Sequence, residues 1–141
     1  IRTYVPAWRV EIEKYFRLVV FNYLFSNGDA HLKNFSILEN ESGDYFLSPA
    51  YDLINTRIHV DDTDFALNSG LCLDECKSCK DDFTELAVRI GIHTNRAEKL
   101  LIPFLTTQTQ VDALTSQSFL PADARRGYLQ HYNTRRNRLN A

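Results

Sequence analysis

Apolar residues recur at intervals of three and four along the first 24 positions, and this spacing constrains the fold more than any other feature. They are Trp8, Ile12, Tyr15, Phe16, Val19, Tyr23 and Leu24. Because such a spacing places side chains on one face of a helix, it predicts an amphipathic helix with Pro6 in its first turn. Ser26, Asn27 and Gly28 are predicted to end this helix, since Asn and Gly accept the left-handed conformation common at helix ends. Trp8 is predicted to pack under the loop that follows.

Polar segments between short apolar runs predict two hairpins. Residues 35–38 and 45–47 have the composition of short strands, and residues 39–44 between them have turn chemistry. A second hairpin is predicted at residues 65–73, with Asn-Ser-Gly at residues 68–70 as its turn.

The chain after Lys80 is predicted to be helical, because its apolar residues again follow a helical spacing. The successive stripes comprise Phe83, Leu86, Ala87 and Ile90, then Ala97, Leu100, Leu101, Phe104 and Leu105. A last helix is predicted to begin near Pro121, and it carries Tyr128, Tyr132 and Leu139. The sequence therefore predicts one α+β domain over residues 1–141, mostly helical, with two small hairpins and a helical bundle.

The composition excludes some classes of protein. The chain is 44% hydrophobic with a formal net charge of -2, so it can bury a core but presents no strong overall field to nucleic acid or membrane. No apolar run approaches the roughly 20 residues that cross a bilayer. The three cysteines are an odd number, which argues against a closed set of disulfides and favours a cytoplasmic location. The chain starts with Ile1 and contains no Met, which predicts a piece of a longer or processed protein.

Charge is unevenly distributed along the chain. Residues 61–85 hold eight acidic residues, whereas residues 121–141 hold five arginines against Asp123 alone. The basic last helix would suit an acidic partner or a phosphate backbone, but a solvated helix is the commoner meaning of such a run and is the expectation here.

One polar segment lies between the first predicted helix and the first predicted strand. It reads Asn-Gly-Asp-Ala-His-Leu-Lys-Asn at residues 27–34 and holds four residues capable of chemistry within six positions. These four are Asp29, His31, Lys33 and Asn34. Asp52 follows the second strand of the first hairpin. Because a hairpin returns the chain to its start, Asp52 is predicted to lie near Asn34 in space.

These residue types match the needs of phosphoryl transfer, which is catalysed mostly by positioning and electrostatics. One carboxylate must accept the proton of the attacking hydroxyl, and Asp29 can do so. A second carboxylate and an amide oxygen must hold Mg²⁺, which prefers oxygen ligands, and Asp52 and Asn34 can supply them. Lys33 can offset the charge that develops on the transferred group. His31 can either brace the loop by a hydrogen bond or contact a phosphate, and both interpretations stay open.

The Asp-x-His-x-x-Asn pattern of this loop resembles the catalytic loop of HipA-like, phosphatidylinositol and aminoglycoside kinases. Its step from Asp to Asn is also that of the general protein-kinase catalytic loop. Residues 28–36, Gly-Asp-Ala-His-Leu-Lys-Asn-Phe-Ser, resemble the HipA family closely, as do residues 47–53, Leu-Ser-Pro-Ala-Tyr-Asp-Leu. The resemblance covers nearly the whole chain, including the basic tail around Arg138.

The resemblance implies a protein-kinase-like C-terminal lobe that takes part in the ATP- and Mg²⁺-dependent phosphorylation of protein serine or threonine. It implies that Asp29 is the catalytic base and that Asn34 and Asp52 bind Mg²⁺. The residues implied to line the nucleotide phosphates are His31, Lys33 and Tyr51. HipA-like proteins are bacterial toxins, so the resemblance further implies a HipB-like DNA-binding antitoxin as partner, contact with DNA only through it, and a protein substrate such as an aminoacyl-tRNA synthetase.

The chain departs from complete kinases in one respect. Its five glycines include no G-x-G-x-x-G arrangement, and no strand resembles the Val-Ala-Ile-Lys strand of kinases. We therefore expect the N-terminal lobe to be a missing partner. The 141-residue chain alone is then expected to bind nucleotide weakly and to transfer phosphate poorly or not at all.

Several alternatives compete with a kinase lobe. A non-catalytic module that docks an antitoxin or a separate N-terminal lobe would keep the fold, but it has no need of Asp29, Asn34 and Asp52 together. A small-molecule kinase lobe is disfavoured by the Ala-Tyr-Asp sequence that ends at Asp52. A metallophosphoesterase would place Gly-Asp-x-His after a strand and would need further histidines. Cys76-x-x-Cys79 has the spacing of zinc ligands, but no second pair follows, so partly exposed thiols are expected.

Overall fold

A computed structural model describes residues 1–60 and 79–141. The described elements are helix α1 (Trp8–Leu24), strands β1 (Ile37–Glu39) and β2 (Tyr45–Leu47), and helices α2 (Cys79–Arg89), α3 (Thr94–Leu105), α4 (Thr109–Gln117) and α5 (Ala122–Asn140). Single 3-10 turns at Leu32–Asn34 and Thr56–Ile58 lie on either side of the hairpin. The predicted mostly helical α+β class and the first hairpin are confirmed, whereas the second predicted hairpin, at residues 65–73, lies outside the described residues. None of the helices in the described ranges combines the length and the apolarity that crossing a bilayer requires.

The core forms around α1, whose apolar face packs against α2, α3 and α5. The rings of Tyr23 and Phe83 meet edge to face with their centroids 5.2 Å apart. The core residues with almost no exposed surface are Phe16, Val19, Val20, Tyr23, Phe83, Ala87, Ala97, Leu100, Leu101 and Leu139. Burial of each larger side chain contributes about 1.5–3 kcal/mol to the free energy of unfolding. This packing holds α1 in place, and with it the start of the loop that follows its C-terminal end.

Helix α1 ends at Leu24, and the left-handed residue beyond it is Ser26, with φ 56°. The sequence predicted that conformation for Asn27 or Gly28. Ser26 can adopt it because tertiary contacts hold its carbonyl, which accepts the N–H of Thr56 at 3.1 Å and the hydroxyl of Thr56 at 3.2 Å.

The other end of α1 holds Trp8, the first residue of the helix. The guanidinium groups of Arg2 and Arg9 lie 4.5 Å and 5.0 Å from its ring. The prediction that Trp8 packs under the polar loop was therefore wrong, since the length of the helix separates the two. Pro6 precedes the helix instead of occupying its first turn.

The hairpin of β1 and β2 is antiparallel and is tied to α1 by one buried carboxylate. Glu11 accepts the backbone N–H of Leu47 at 3.0 Å. At the far end of the hairpin, the Asn40 side chain accepts the N–H groups of Ser42 and Asp44, each at 2.9 Å, and so closes the turn. The hairpin therefore has a defined position on the helix that precedes it.

The basic last helix is not simply solvated. Arg135 is 2% exposed, and its guanidinium lies over the ring of Tyr23, 4.7 Å from the centroid. Arg125 donates to the carbonyl of Ser116 at 2.8 Å, which ties α5 to α4. The expectation of a solvated helix was wrong for Arg135, whose long side chain is part of the core.

Cys79 is buried, and its sulfur lies 3.0 Å from the hydroxyl of Tyr23. Burial raises the pKa of the Cys79 thiol above its ordinary value. The expectation of a partly exposed thiol was therefore wrong at this position. Cys72 and Cys76 lie outside the described residues.

Candidate active site

The loop after α1 presents its polar side chains on an open surface. Asp29, His31 and Lys33 are exposed, whereas Ala30 among them is 1% exposed and anchors the loop in the interior. The N–H of His31 donates to the carbonyl of Asp29 at 2.7 Å, and the N–H of Asn34 donates to the carbonyl of His31 at 2.8 Å. These backbone bonds fold the loop into tight turns.

The Asn34 side chain joins this loop to the segment after the hairpin. Its Nδ2 donates to the backbone carbonyl of Asp29 at 2.8 Å and to the Oδ2 of Asp52 at 3.1 Å. The hairpin explains why Asn34 and Asp52 lie close together. At its open end the N–H of Ser48 donates to the carbonyl of Ser36 at 2.8 Å, so the segments before and after the hairpin leave it side by side. The structure thus brings together the three residues that the sequence placed in one cluster.

Asp52 has a left-handed backbone, with φ 54°. This conformation costs a non-glycine residue about 1–2 kcal/mol, so surrounding contacts must hold it. One such contact is the Nδ2 of Asn27, which donates to the carbonyl of Asp52 at 3.0 Å. The unusual backbone turns the exposed Asp52 carboxylate toward Asn34.

The imidazole of His31 contacts the carboxylate of Asp29. The distance from Nε2 of His31 to Oδ1 of Asp29 is 3.0 Å, and each side chain is about half exposed. This contact has the geometry of a loop brace, one of the two roles that the sequence left open for His31. Contact with a phosphate stays a prediction.

Lys33 and Tyr51 lie at the edge of the cluster. The Tyr51 hydroxyl donates to the backbone carbonyl of Lys33 at 3.2 Å, which links the residue before Asp52 to the loop after α1. Both side chains are exposed. Their contact with nucleotide phosphates stays a prediction.

Buried polar residues beneath the loop were not identified from the sequence. Thr56, which is 8% exposed, accepts the N–H of Gly28 through its hydroxyl at 3.0 Å. Asn22 is 3% exposed and accepts a hydrogen bond from the side chain of Asn27 at 3.0 Å. The sequence could have indicated Asn22 as a buried polar residue, since it lies between the apolar positions of α1. Thr56 lies in no recognisable sequence pattern.

The cluster offers oxygen donors that suit Mg²⁺. Among the residues that the structure describes, the Asn34 side chain makes two hydrogen bonds, both from Nδ2, so its Oδ1 can contact a cation together with the exposed carboxylate of Asp52. Within residues 1–60 and 79–141 there is no group of three or more His, Cys, Asp or Glu side chains arranged for a metal. An ion held here would therefore depend on water or phosphate oxygens for its remaining ligands, as Mg²⁺ commonly does.

Comparison with known proteins points to one family. The sequence profile described as the HipA-like C-terminal domain matches residues 1–111. A Sinorhizobium fredii relative with a name beginning "Putative kinase" is 34% identical over 93 residues, which cover 65% of this chain and 22% of that protein. A Haemophilus influenzae relative named "Putative kinase" is 27% identical over 122 residues, which cover 75% of this chain and 36% of that protein. The chain thus spans about a fifth to a third of the length of these relatives.

Proposed function

The chain belongs to the HipA-like C-terminal domain family, and on that premise we propose that it is the C-terminal lobe of a protein serine/threonine kinase. The lobe would act in ATP- and Mg²⁺-dependent phosphoryl transfer, in a fold like that of protein kinases. The names of its relatives support kinase chemistry in general. The choice of a protein hydroxyl as acceptor rests on the family resemblance alone.

One observation carries the proposal, namely the hydrogen bonds from the single nitrogen of Asn34 to Asp29 and Asp52. This nitrogen holds the backbone of one acidic residue and the carboxylate of the other. In the proposed mechanism the Asp29 carboxylate accepts the proton of the attacking hydroxyl, and its contact with His31 keeps it oriented. Asp52 and Asn34 would hold Mg²⁺, which when bound offsets the charge on the phosphate oxygens.

The remaining polar groups would bind the nucleotide. Lys33 is an exposed lysine in the same loop as Asp29, and in this proposal it offsets charge on the transferred phosphoryl group. His31 and Tyr51 are both exposed, and in this proposal they line the nucleotide phosphates. A phosphate-covering loop would come from an N-terminal lobe, which we propose as a partner of this lobe.

The wider role is proposed from the family. A HipA-like kinase acts as a cytoplasmic toxin, so a HipB-like DNA-binding antitoxin would be a partner and would provide the contact with DNA. The substrate would be a protein, for which an aminoacyl-tRNA synthetase is the candidate. The chain spans only a part of its relatives, so the activity and partners of the whole protein are included in this proposal.

A non-catalytic docking module is the second candidate, and one observation favours it. An open cavity of about 600 Å³ lies between α1 and the hairpin, with Ile12, Tyr15 and Phe35 among its lining residues. A cavity of this size is large enough to receive apolar side chains of another lobe or of an antitoxin. Docking there does not require the meeting of Asp29, Asn34 and Asp52, so the two candidates make different predictions for variants of these residues.

The test is phosphate transfer from [γ-³²P]ATP by the protein encoded in the complete reading frame that contains this chain. Asp29→Asn should lower the rate by about 10²–10⁴-fold, the range typical of a positioned general base. Asp44→Asn is the matched control, because Asp44 is an exposed aspartate in the hairpin turn, and it should change the rate by less than about twofold. Unchanged labelling by Asp29→Asn would remove Asp29 from the mechanism, and absence of labelling by the unsubstituted protein would favour the docking module.

A further inference from the structure

The Asn27 side chain makes three hydrogen bonds from a buried position, 3% exposed. Its Nδ2 donates to the carbonyl of Asp52 at 3.0 Å and to Oδ1 of Asn22 at 3.0 Å. Its Oδ1 accepts the N–H of Asp29 at 3.3 Å. One amide group therefore contacts the backbones of both acidic residues in the cluster.

We propose that Asn27 is a positioning residue that sets the placement of Asp52 and Asp29 for metal binding and proton transfer. This inference rests on the proposed function, since it concerns how the same cluster is held. Asn27 is too deeply buried to touch a substrate, so any effect on chemistry must pass through Asp52 and Asp29, the two acidic residues whose backbones it contacts.

The left-handed backbone of Asp52 needs a contact that holds it. A left-handed residue other than glycine relaxes toward negative φ when nothing holds it, and that rotation would redirect its side chain. The bond from Asn27 fixes the Asp52 carbonyl, and so it opposes the relaxation. Among the described residues, no other side chain donates a hydrogen bond to this carbonyl.

The chemistry of the amide suits both contacts. A planar amide has a donor and an acceptor at fixed separation, so it can satisfy the Asp52 carbonyl and the Asp29 N–H at the same time. The second N–H of Asn27 goes to Asn22, which lies on the buried face of α1. The backbone N–H of Asn27 also donates to the carbonyl of Asn22, at 2.9 Å. The amide is thus anchored on α1, the helix around which the core forms.

Three substitutions separate positioning from general damage. Asn27→Leu keeps the approximate shape but removes the donor and the acceptor. Asn27→His restores a donor, because Nδ1 of histidine occupies about the same place as Nδ2 of asparagine, and a small cavity of about 70 Å³ beside Asn27 gives the ring room. Asn40→Leu is the matched control, because the Asn40 side chain also accepts backbone N–H groups, but at the hairpin turn away from the cluster.

The measurement is Mn²⁺ titration of each folded variant of the chain, followed by paramagnetic broadening of the Asp29 and Asp52 amide signals. Asn27→Leu should weaken Mn²⁺ binding by about 10- to 100-fold, the usual effect of removing a group that orients a metal ligand. Asn40→Leu should change it by less than about twofold, and Asn27→His should give an affinity close to that of the unsubstituted chain. A merely structural loss of stability would lower the unfolding midpoint without changing the affinity of the folded molecules.

Asp52→Asn distinguishes failure of this inference from failure of the proposed function. If Asp52→Asn does not weaken Mn²⁺ binding, the metal site itself is wrongly assigned and the proposed function fails. If Asp52→Asn weakens binding and Asn27→Leu does not, the positioning role is refuted while the metal site stands. Equal losses in Asn27→Leu and Asn27→His would also refute it. Should Asn27→Leu not fold, Asn27→Ser replaces it, because its hydroxyl is too short to reach the Asp52 carbonyl and the same loss is expected.

Discussion

Replacement of Thr56 by valine tests whether tertiary hydrogen bonds hold the start of the loop after α1. The Thr56 hydroxyl accepts the N–H of Gly28 at 3.0 Å and donates to the carbonyl of Ser26 at 3.2 Å. Valine has nearly the same shape, so Thr56→Val removes these two bonds while creating little or no cavity.

The expected loss of unfolding free energy depends on whether each partner of the Thr56 hydroxyl keeps another hydrogen bond. The carbonyl of Ser26 still accepts the backbone N–H of Thr56 at 3.1 Å, so its loss is small. The buried N–H of Gly28 loses its side-chain acceptor, and an unsatisfied buried donor costs about 1–3 kcal/mol. We therefore expect Thr56→Val to lower the free energy of unfolding by about 2 kcal/mol, or the melting temperature by about 6 °C for a chain of this size.

The assay is urea unfolding followed by circular dichroism, with Thr84→Val as the matched control. The Thr84 hydroxyl donates to the carbonyl of Lys80 one helical turn earlier, at 2.9 Å. Such a bond adds little to helix stability, so Thr84→Val should stay within about 0.5 kcal/mol of the unsubstituted chain. Because Thr56 lies four residues after Asp52, Thr56→Val should also weaken Mn²⁺ binding.

Equal unfolding free energies for Thr56→Val and Thr84→Val would refute the reasoning. That result would mean that the N–H of Gly28 finds another partner, such as water, once the hydroxyl is gone. Apolar contacts would then hold the segment after Asp52. The hydrogen bonds of the Thr56 hydroxyl would form as a result of the fold and would not stabilise it.

Two further predictions concern stability. Burial and, to a smaller extent, the nearby charges of Arg57 and Arg135 lower the pKa of His131. The unfolded chain therefore takes up the proton more readily than the folded chain. The free energy of unfolding should fall as the pH drops below about 6.5 toward the lowered pKa. His131→Gln should reduce this loss, measured as the difference between urea midpoints at about pH 7.5 and pH 5. Glu11→Ala removes the carboxylate that accepts the N–H of Leu47 and should cost about 1.5–3 kcal/mol in the same assay. Glu13→Ala, which breaks a more exposed ion pair with Arg96, should cost much less, and equal losses would contradict the assigned role of Glu11.

The sequence determined the elements that depend on local pattern. The spacing of apolar residues in α1 and in the helices after Lys80 specified the buried faces, because a helix brings residues three and four apart to one side. The polar residues 39–44 specified the first hairpin in the same way. The meeting of Asp52 with Asn34 was predictable too, since a hairpin must return near its start.

The tertiary structure decided every feature that depends on partners distant in the chain. The left-handed residue after α1 is Ser26 because Thr56 holds its carbonyl, and no local pattern contains that information. Arg135 entered the core because the ring of Tyr23 covers its guanidinium, although a run of arginines ordinarily indicates a solvated surface.

The same division holds within the candidate site. Side-chain types and spacing singled out Asp29, Asn34 and Asp52 as candidates, because the proposed chemistry requires two carboxylates and an amide oxygen. The strained backbone of Asp52 and the buried amide of Asn27 beneath it were visible only in three dimensions. The physical reason is that hydrogen-bond partners are chosen by distance and direction in space, which the order of residues constrains only where secondary structure fixes the path between them.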